Sequence, residues 1–237
     1  MFSCLPQDHV LAPVLAEAVA ESMENGSLVQ VSAVDHDSHL LAVELKKAFQ
    51  SRHITPAHHF EFRPGQRELS PLIRRVIRAR PSALILLADA QESARVLRAL
   101  RAAGCGARVF GGPWMGQGDF LRKAGDAAEG VVFPRLFVSS PVSADFKKAF
   151  VERTGRQPDY LSAHSYDAVR LIIQALHQSG LNRAALCQAL KRQSGYTGVT
   201  GTFQWDKLGS NIRPVGLGIV RGGAVKAYGK NCKVNSE

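Results

Sequence analysis

Between residues 28 and 133 the apolar positions follow two rhythms. Short dense blocks (Leu28 to Val34, Ala57 to Phe62, Ala83 to Leu87, Ala107 to Phe110, Gly130 to Phe133) predict strands. The stretches between them, where apolar residues recur every three or four positions, predict helices. Ser38 is placed to cap a helix with Leu41, Leu45, Ala48 and Phe49 on one face. Ser70 and Pro71 read as cap and first residue of a second helix, which stops near Arg80 and Pro81. Gln91 to Ala103 reads as a third, closed by Gly104 in the left-handed conformation, and Phe120 to Ala124 as a short fourth. Ala83 to Leu87 shows no alternation, as in a strand covered on both faces. Five strands separated by helices at short spacing predict a parallel, doubly wound α/β sheet. Ligands of such sheets lie beyond the C-terminal ends of the strands. That rule singles out Asp35 to Asp37, Ala88 to Ala90 and Gly111 to Trp114.

After Pro134 the rhythm changes. A helix from Ser143 to Gly155 would turn Phe146, Ala149 and Phe150 inward. A longer one carries Val169, Ile172, Ile173 and Leu176 and ends at Gly180; a third, capped by Asn182, carries Leu186 and Leu190. Short glycine-rich strands follow in residues 195–211 and 215–228. These helices have few strands to cover, so a second sheet is expected to come mostly from residues absent from the chain.

The 237 residues are 45% hydrophobic and 21% charged, which suits a globular α/β protein. No apolar run approaches the roughly 18 residues of a membrane span. The formal charge is +10, but the arginines are scattered. Their densest group, Arg74, Arg75, Arg78 and Arg80, shares a helix with apolar Leu72, Ile73, Val76 and Ile77 and reads as its solvated face. No nucleic-acid motif accompanies it, so nucleic acid is not an expected partner. The four cysteines form no CxxC pair. The first residues, MFSCLPQDHV, lack the basic start and apolar stretch of a signal peptide.

Several landmarks, in order, resemble the type I periplasmic solute-binding proteins, in particular their leucine/isoleucine/valine-binding branch. FSCLPQD (Phe2 to Asp8) looks like the segment at that family's first crossing between lobes. Residues 81–104 look like one of its strand–helix units, and Gly130 to Pro134 like the strand before its second crossing. Phe146 to Gly155 resembles its spaced aromatics, with Thr154 where the last would stand. Tyr166, Asp167 and Ala168 match its YDA signature, and Gly198 to Gly209 its G-x-[ST]-G-x-x-x-F-D-x-x-G element. The resemblance implies two doubly wound lobes closing on a small ligand. It assigns residues 8–136 with 214–229 to ligand-binding lobe two, 1–7 with 137–213 to a partial lobe one, and 230–237 to a tail. The family's opening third has no counterpart, so the chain reads as N-terminally truncated.

The resemblance also implies candidate site residues. Relatives that bind amino acids keep an acidic residue after the strand ending at Phe110; here the turn reads Gly111, Gly112, Pro113, Trp114. Trp114 would then stack on an apolar or aromatic ligand without a free amine, or it is simply a packed loop residue. Asp89 could replace the ammonium partner, beside Ala90, or cap the next helix. Asp37, in the segment Asp35-His36-Asp37-Ser38-His39, lies at the same sheet edge; a metal there, or at His58 and His59, is disfavoured because helix-start chemistry and strand alternation account for these residues. Tyr160 would sit near the start of the cleft-bordering helix and reach the ligand, whereas Tyr166 would pack its helix against the sheet and Asp167 would be structural.

No catalytic set and no phosphate-binding loop is discernible, so neither enzymatic activity nor a cofactor is expected. The resemblance implies the solute-binding component of an ABC uptake system, periplasmic, with a small-molecule ligand and a permease as partners. Self-association through exposed lobe-one helices is also expected. Two other readings stay open at this stage: a cytoplasmic small-molecule sensor of the same fold, and a truncated remnant without function.

Overall fold

The structure, a computed structural model, describes residues 2–23, 26–138 and 140–229. It opens with strand β1 (Ser3–Pro6) and helix α1 (Asp8–Ser22). Strands and helices then alternate: β2 (Leu28–Ala33), α2 (His36–Gln50), β3 (His58–Phe62), α3 (Ser70–Ala79), β4 (Ala83–Leu87), α4 (Ala90–Ala102), β5 (Arg108–Gly111), α5 (Gly118–Ala124) and β6 (Val132–Arg135). Helices α6 (Ala144–Thr154), α7 (Tyr160–Ser179) and α8 (Arg183–Arg192) follow. Short strands β7 (Thr197–Gly198), β8 (Gly201–Thr202) and β9 (Ser210–Asn211) precede a hairpin of β10 (Gly216–Arg221) and β11 (Ala224–Tyr228). The chain divides into two compact units: unit 1 is Met1–Val10 with Leu136–Val215, and unit 2 is Leu11–Arg135 with Gly216–Glu237. The tail expected at 230–237 lies outside the described residues.

Unit 2 holds a seven-stranded sheet in the order β11-β10-β6-β5-β4-β2-β3. The strands from β6 to β3 are parallel; β10 runs antiparallel to β6, and β11 to β10. Every residue of β2 and β4 is buried, as a sheet covered on both faces requires. Val29, Val31, Leu84, Leu86 and Val109 pack with Leu72, Val76 and Leu97 of α3 and α4 in one apolar core. Helix α1 is not among the helices expected from the sequence, and it carries Pro13 in its interior. It nevertheless buries Leu11, Leu15 and Val19, four residues apart on one face.

Helix caps shift by one to three residues from expectation. Asp35, not Ser38, caps α2, accepting from the Ser38 backbone N–H at 2.9 Å and from its hydroxyl at 2.8 Å. Ser70 lies inside α3, whose cap is Leu69, because Glu68 Oε1 already accepts the Ser70 N–H at 2.7 Å.

Among the described residues, unit 1 contains only two-stranded sheets: β1 parallel with β9, and β7 antiparallel with β8. Its centre is polar. The buried Asp167 of α7 accepts from Val199 N–H (2.9 Å), Thr200 N–H (2.8 Å) and Thr200 Oγ1 (2.6 Å). The turn comes this close because Gly198 has no Cβ; one built there would lie 2.4 Å from the Asp167 carboxylate. Arg213 donates to the carbonyls of Thr200 and Leu136, and Asn211 Nδ2 to that of Cys4 at 2.9 Å. Asp167 thus has the structural role that its sequence position suggests.

The exposed apolar faces expected of the unit 1 helices are present, whereas the inward turn of α6 and the packing of Tyr166 against a sheet are not. No residue of α6 is buried, so Phe146, Ala149 and Phe150 do not turn into a core. Tyr166 does not pack its helix against a sheet; it is 41% exposed and lies 4.8 Å, ring to ring, from Phe146. Val169 (56% exposed), Ile172 and Ile173 continue that apolar face. The reason is the one the pattern raised: the described residues of unit 1 contain no sheet large enough to cover three helices.

Candidate functional site

The parallel strands of unit 2 stand in the order β3-β2-β4-β5-β6, so the direction of winding reverses between β2 and β4. At that switch point the connections leaving the strand ends diverge to opposite faces and open a crevice. Asp35 follows β2 and caps α2; Asp89 follows β4 and caps α4 by accepting the Glu92 N–H at 2.8 Å. Both helices therefore begin at the crevice, with their positive dipole ends beside it. Asp37 is exposed in the first turn of α2. Ala90 opens α4, but its methyl packs into the core, so only its backbone lies at the edge.

Beside this crevice, β5 ends at Gly111, and Gly112 caps the single 3-10 turn that follows (Pro113–Gly116). Its two large side chains fold back over the strand end. A Cβ on Gly111 would lie 2.1 Å from Met115 Sδ, and one on Gly112 would lie 2.2 Å from the Trp114 ring and 3.3 Å from Leu41 of α2. The two glycines are what let Met115 bury completely and the Trp114 ring lie against the backbone, half-buried, with Pro113 buried beneath the turn. One face of an indole thus belongs to the packing and part of it remains available. Asp37, Asp89, Ala90, Pro113 and Trp114 all lie at the C-terminal edge of the same sheet.

Glu92 was not singled out from sequence. Its buried carboxylate accepts from Gly65 N–H (3.2 Å) and pairs with Arg95 at 2.6 Å, while Arg95 also donates to the Gln66 carbonyl. The loop after β3 is thereby tied to α4 at the same edge. The signal was present only as an acid and a base three residues apart in a helix, a spacing common on solvated faces.

Tyr160 lies in unit 1. It is buried at the start of α7, and its carbonyl meets His164 Nδ1 at 2.8 Å. His164 Nε2 is buried without a hydrogen-bond partner among the described residues. Burial, with the nearby Arg213 charge, holds its pKa down at about 4 against the opposing Tyr160 carbonyl and Asp167. In the same cluster burial pushes the Cys4 thiol up to about 11, and the Asp167 charge adds to that. Among the described residues no group of three or more potential metal ligands occurs. No helix of the described residues is long and apolar enough to cross a membrane.

The profile of the family described as periplasmic binding protein matches residues 1–224. The leucine-, isoleucine-, valine-, threonine- and alanine-binding protein of Pseudomonas aeruginosa is 23% identical over 212 residues, which cover 88% of this chain and 57% of that protein. A Leu/Ile/Val-binding protein homologue of Brucella melitensis is 23% identical and matched over 90% of this chain and 59% of its own length. Among solved structures, the leucine-binding protein LivK of Thermotoga maritima superposes with a TM-score of 0.81 at 23% identity, over 93% of this chain and 66% of that one. A solute-binding protein of R. palustris in complex with benzoate superposes with a TM-score of 0.85 at 15% identity, over 96% and 64%. At such identities these structures establish the two-lobed α/β fold. The chain spans less than two thirds of the length of each of these relatives.

Proposed function

Because the chain belongs to the periplasmic binding protein family, a non-catalytic transport family of the periplasm, we propose that it is a solute-binding component of an ABC-type uptake system. Unit 2 supplies its share of the ligand contacts from the crevice at the β2/β4 switch point. The ligand we assign is a small aromatic or apolar carboxylate rather than a branched-chain amino acid. A permease is the partner that this role implies.

One observation carries the ligand assignment: the turn after β5 presents the half-buried Trp114 ring, held over Gly112, and no carboxylate. Asp89, an acid at the same edge, has one oxygen engaged in capping α4. A buried ammonium without a carboxylate partner costs several kcal/mol, whereas an aromatic ring stacked on an indole gains about 0.5–1.5 kcal/mol beyond its area. The helix starts of α2 and α4 suit an anionic group. The benzoate carried by the R. palustris protein belongs to this chemical class.

Tryptophan fluorescence tests the assignment, with Trp205→Phe removing the second emitter. Benzoate should quench Trp114 saturably and bind about tenfold or more tighter than leucine, and in calorimetry, which needs no emitter, Trp114→Ala should abolish the difference. Leucine binding that survives Trp114→Ala and is lost in Asp89→Asn, which keeps a capping side chain, would make Asp89 an ammonium partner and overturn the assignment.

A further inference from the structure

The sheet of unit 2 changes character on the flank beneath α2. Along β2, Val29, Val31 and Ala33 face the aliphatic core, and the alternate residues Gln30 and Ser32 face the other way. The register with β3 sets His59 opposite Gln30 and Glu61 opposite Ser32. Gln30 and Ser32 are 7% and 3% exposed, yet polar, and one hydrogen bond joins them. Gln30 Nε2 donates to Ser32 Oγ at 3.1 Å and lies 3.5 Å from His59 Nε2, which is 3.2 Å from the same hydroxyl. With the amide hydrogen on Ser32 and the hydroxyl hydrogen on His59, Nε2 of the imidazole accepts and the ring proton sits on Nδ1. The amide oxygen of Gln30 is then left without a donor among the described residues.

A helix packed closely on a sheet would leave no room for such a ledge. Here, beside the line where α2 packs on the sheet, a groove of about 460 Å³ opens between one flank of the helix and strands β2 and β3, with apolar walls from Val43, Phe49, Ile54 and Pro56. Lys46 and Glu61 line the same groove, and neither joins an ion pair among the described residues. Convergent polar groups in an otherwise apolar hollow of this size are what small-molecule sites are built from.

We propose that this groove binds an apolar zwitterion of amino-acid to dipeptide size. The walls require an apolar body. Lys46 selects a carboxylate and Glu61 an ammonium, which the free Gln30 oxygen can also accept. A simple carboxylic acid would leave Glu61 unanswered, and a simple amine would leave Lys46 unanswered. The site lies on the flank of the sheet, not at its C-terminal edge, and stands independently of the Trp114 assignment.

Amide chemical shifts of the full chain, titrated with three molecules sharing one body, decide it: L-leucine, 4-methylpentanoate and 3-methylbutylamine. Leucine should shift the amides of Gln30 to Ser32 and His59 to Glu61 saturably, and each half-ligand should bind about tenfold more weakly. Lys46→Met and Glu61→Gln, both at exposed positions, should each weaken leucine binding about threefold or more, and Trp114→Ala should leave it unchanged. Equal binding of all three probes, unchanged affinity in both charge variants, or leucine shifts confined to the Trp114 and Asp89 turns would overturn the proposal. So would the absence of any saturable shift in the groove.

Discussion

At the scale of single residues, the buried polar cluster of unit 1 sets a pH dependence. His164 is neutral when folded, and its pKa falls from 6.5 to about 4 chiefly through burial. Below about pH 6.5 the unfolded chain takes up a proton that the folded chain resists until about pH 4. Stability contributed by this group is therefore complete above pH 6.5 and lost as pH falls toward 4, by about 3 kcal/mol in all. Cys4 acts at the other end: its raised pKa gives a contribution that is complete below pH 9 and lost as pH rises toward about 11. Urea unfolding of unit 1 followed against pH should show the acid loss, and His164→Leu should flatten it between pH 6.5 and 4. An acid limb unchanged in that variant would mean that other groups carry it. Asp167 shows how far single residues were legible. A carboxylate at the YDA position reads as structural, but its three bonds to Val199 and Thr200 join residues more than thirty apart, which no local spacing announces.

At the scale of elements, α7 is the anomaly. Its buried residues, Ala163, His164, Asp167, Leu171 and Ala175, form one stripe. A second stripe of Tyr166, Val169, Ile172 and Ile173 is 41–56% exposed. A second, apolar stripe on a helix that already buries its first predicts burial on both sides, and exposed faces of this kind drive association. Sedimentation should show concentration-dependent self-association of the chain. Val169→Glu with Ile173→Lys, an oppositely charged pair one turn apart that favours the helix, should shift it to monomer. A parent chain that stays monomeric at high concentration would show that this face does not self-associate. The helices of unit 2 behave differently. Their apolar stripes, read from periodicity alone, meet a sheet, and only their first residues shift, because Asp35 and Glu68 claim the starting N–H groups.

At the scale of the whole molecule, the two units should differ in local stability. The strands β2 and β4 of unit 2 are buried throughout, whereas β1 and β9 of unit 1 form a parallel pair with few bonds. In hydrogen exchange the amides of β2 and β4 should be the slowest, and those of β1 and β9 faster by about tenfold or more. Equal protection would show that unit 1 holds together by more than its described sheets.

The sequence alone determined the α/β class and the five parallel strands, because each depends on the period of apolar residues and on caps and glycines within a few positions. It also marked the C-terminal edge carrying Asp37, Asp89 and Trp114, since that edge follows from strand order in a doubly wound sheet. Only the tertiary structure decided the rest. Whether Trp114 packs or protrudes depends on Gly112 and on Leu41, about seventy residues away. That Gln30, Ser32 and His59 share one ledge depends on the register of β2 with β3. Helix α1 forms despite Pro13 because burial of Leu11, Leu15 and Val19 outweighs one lost hydrogen bond. The division has a physical origin: periodicity and capping are local and written in neighbouring residues, whereas burial, register and the pairing of charges are settled only when distant segments meet.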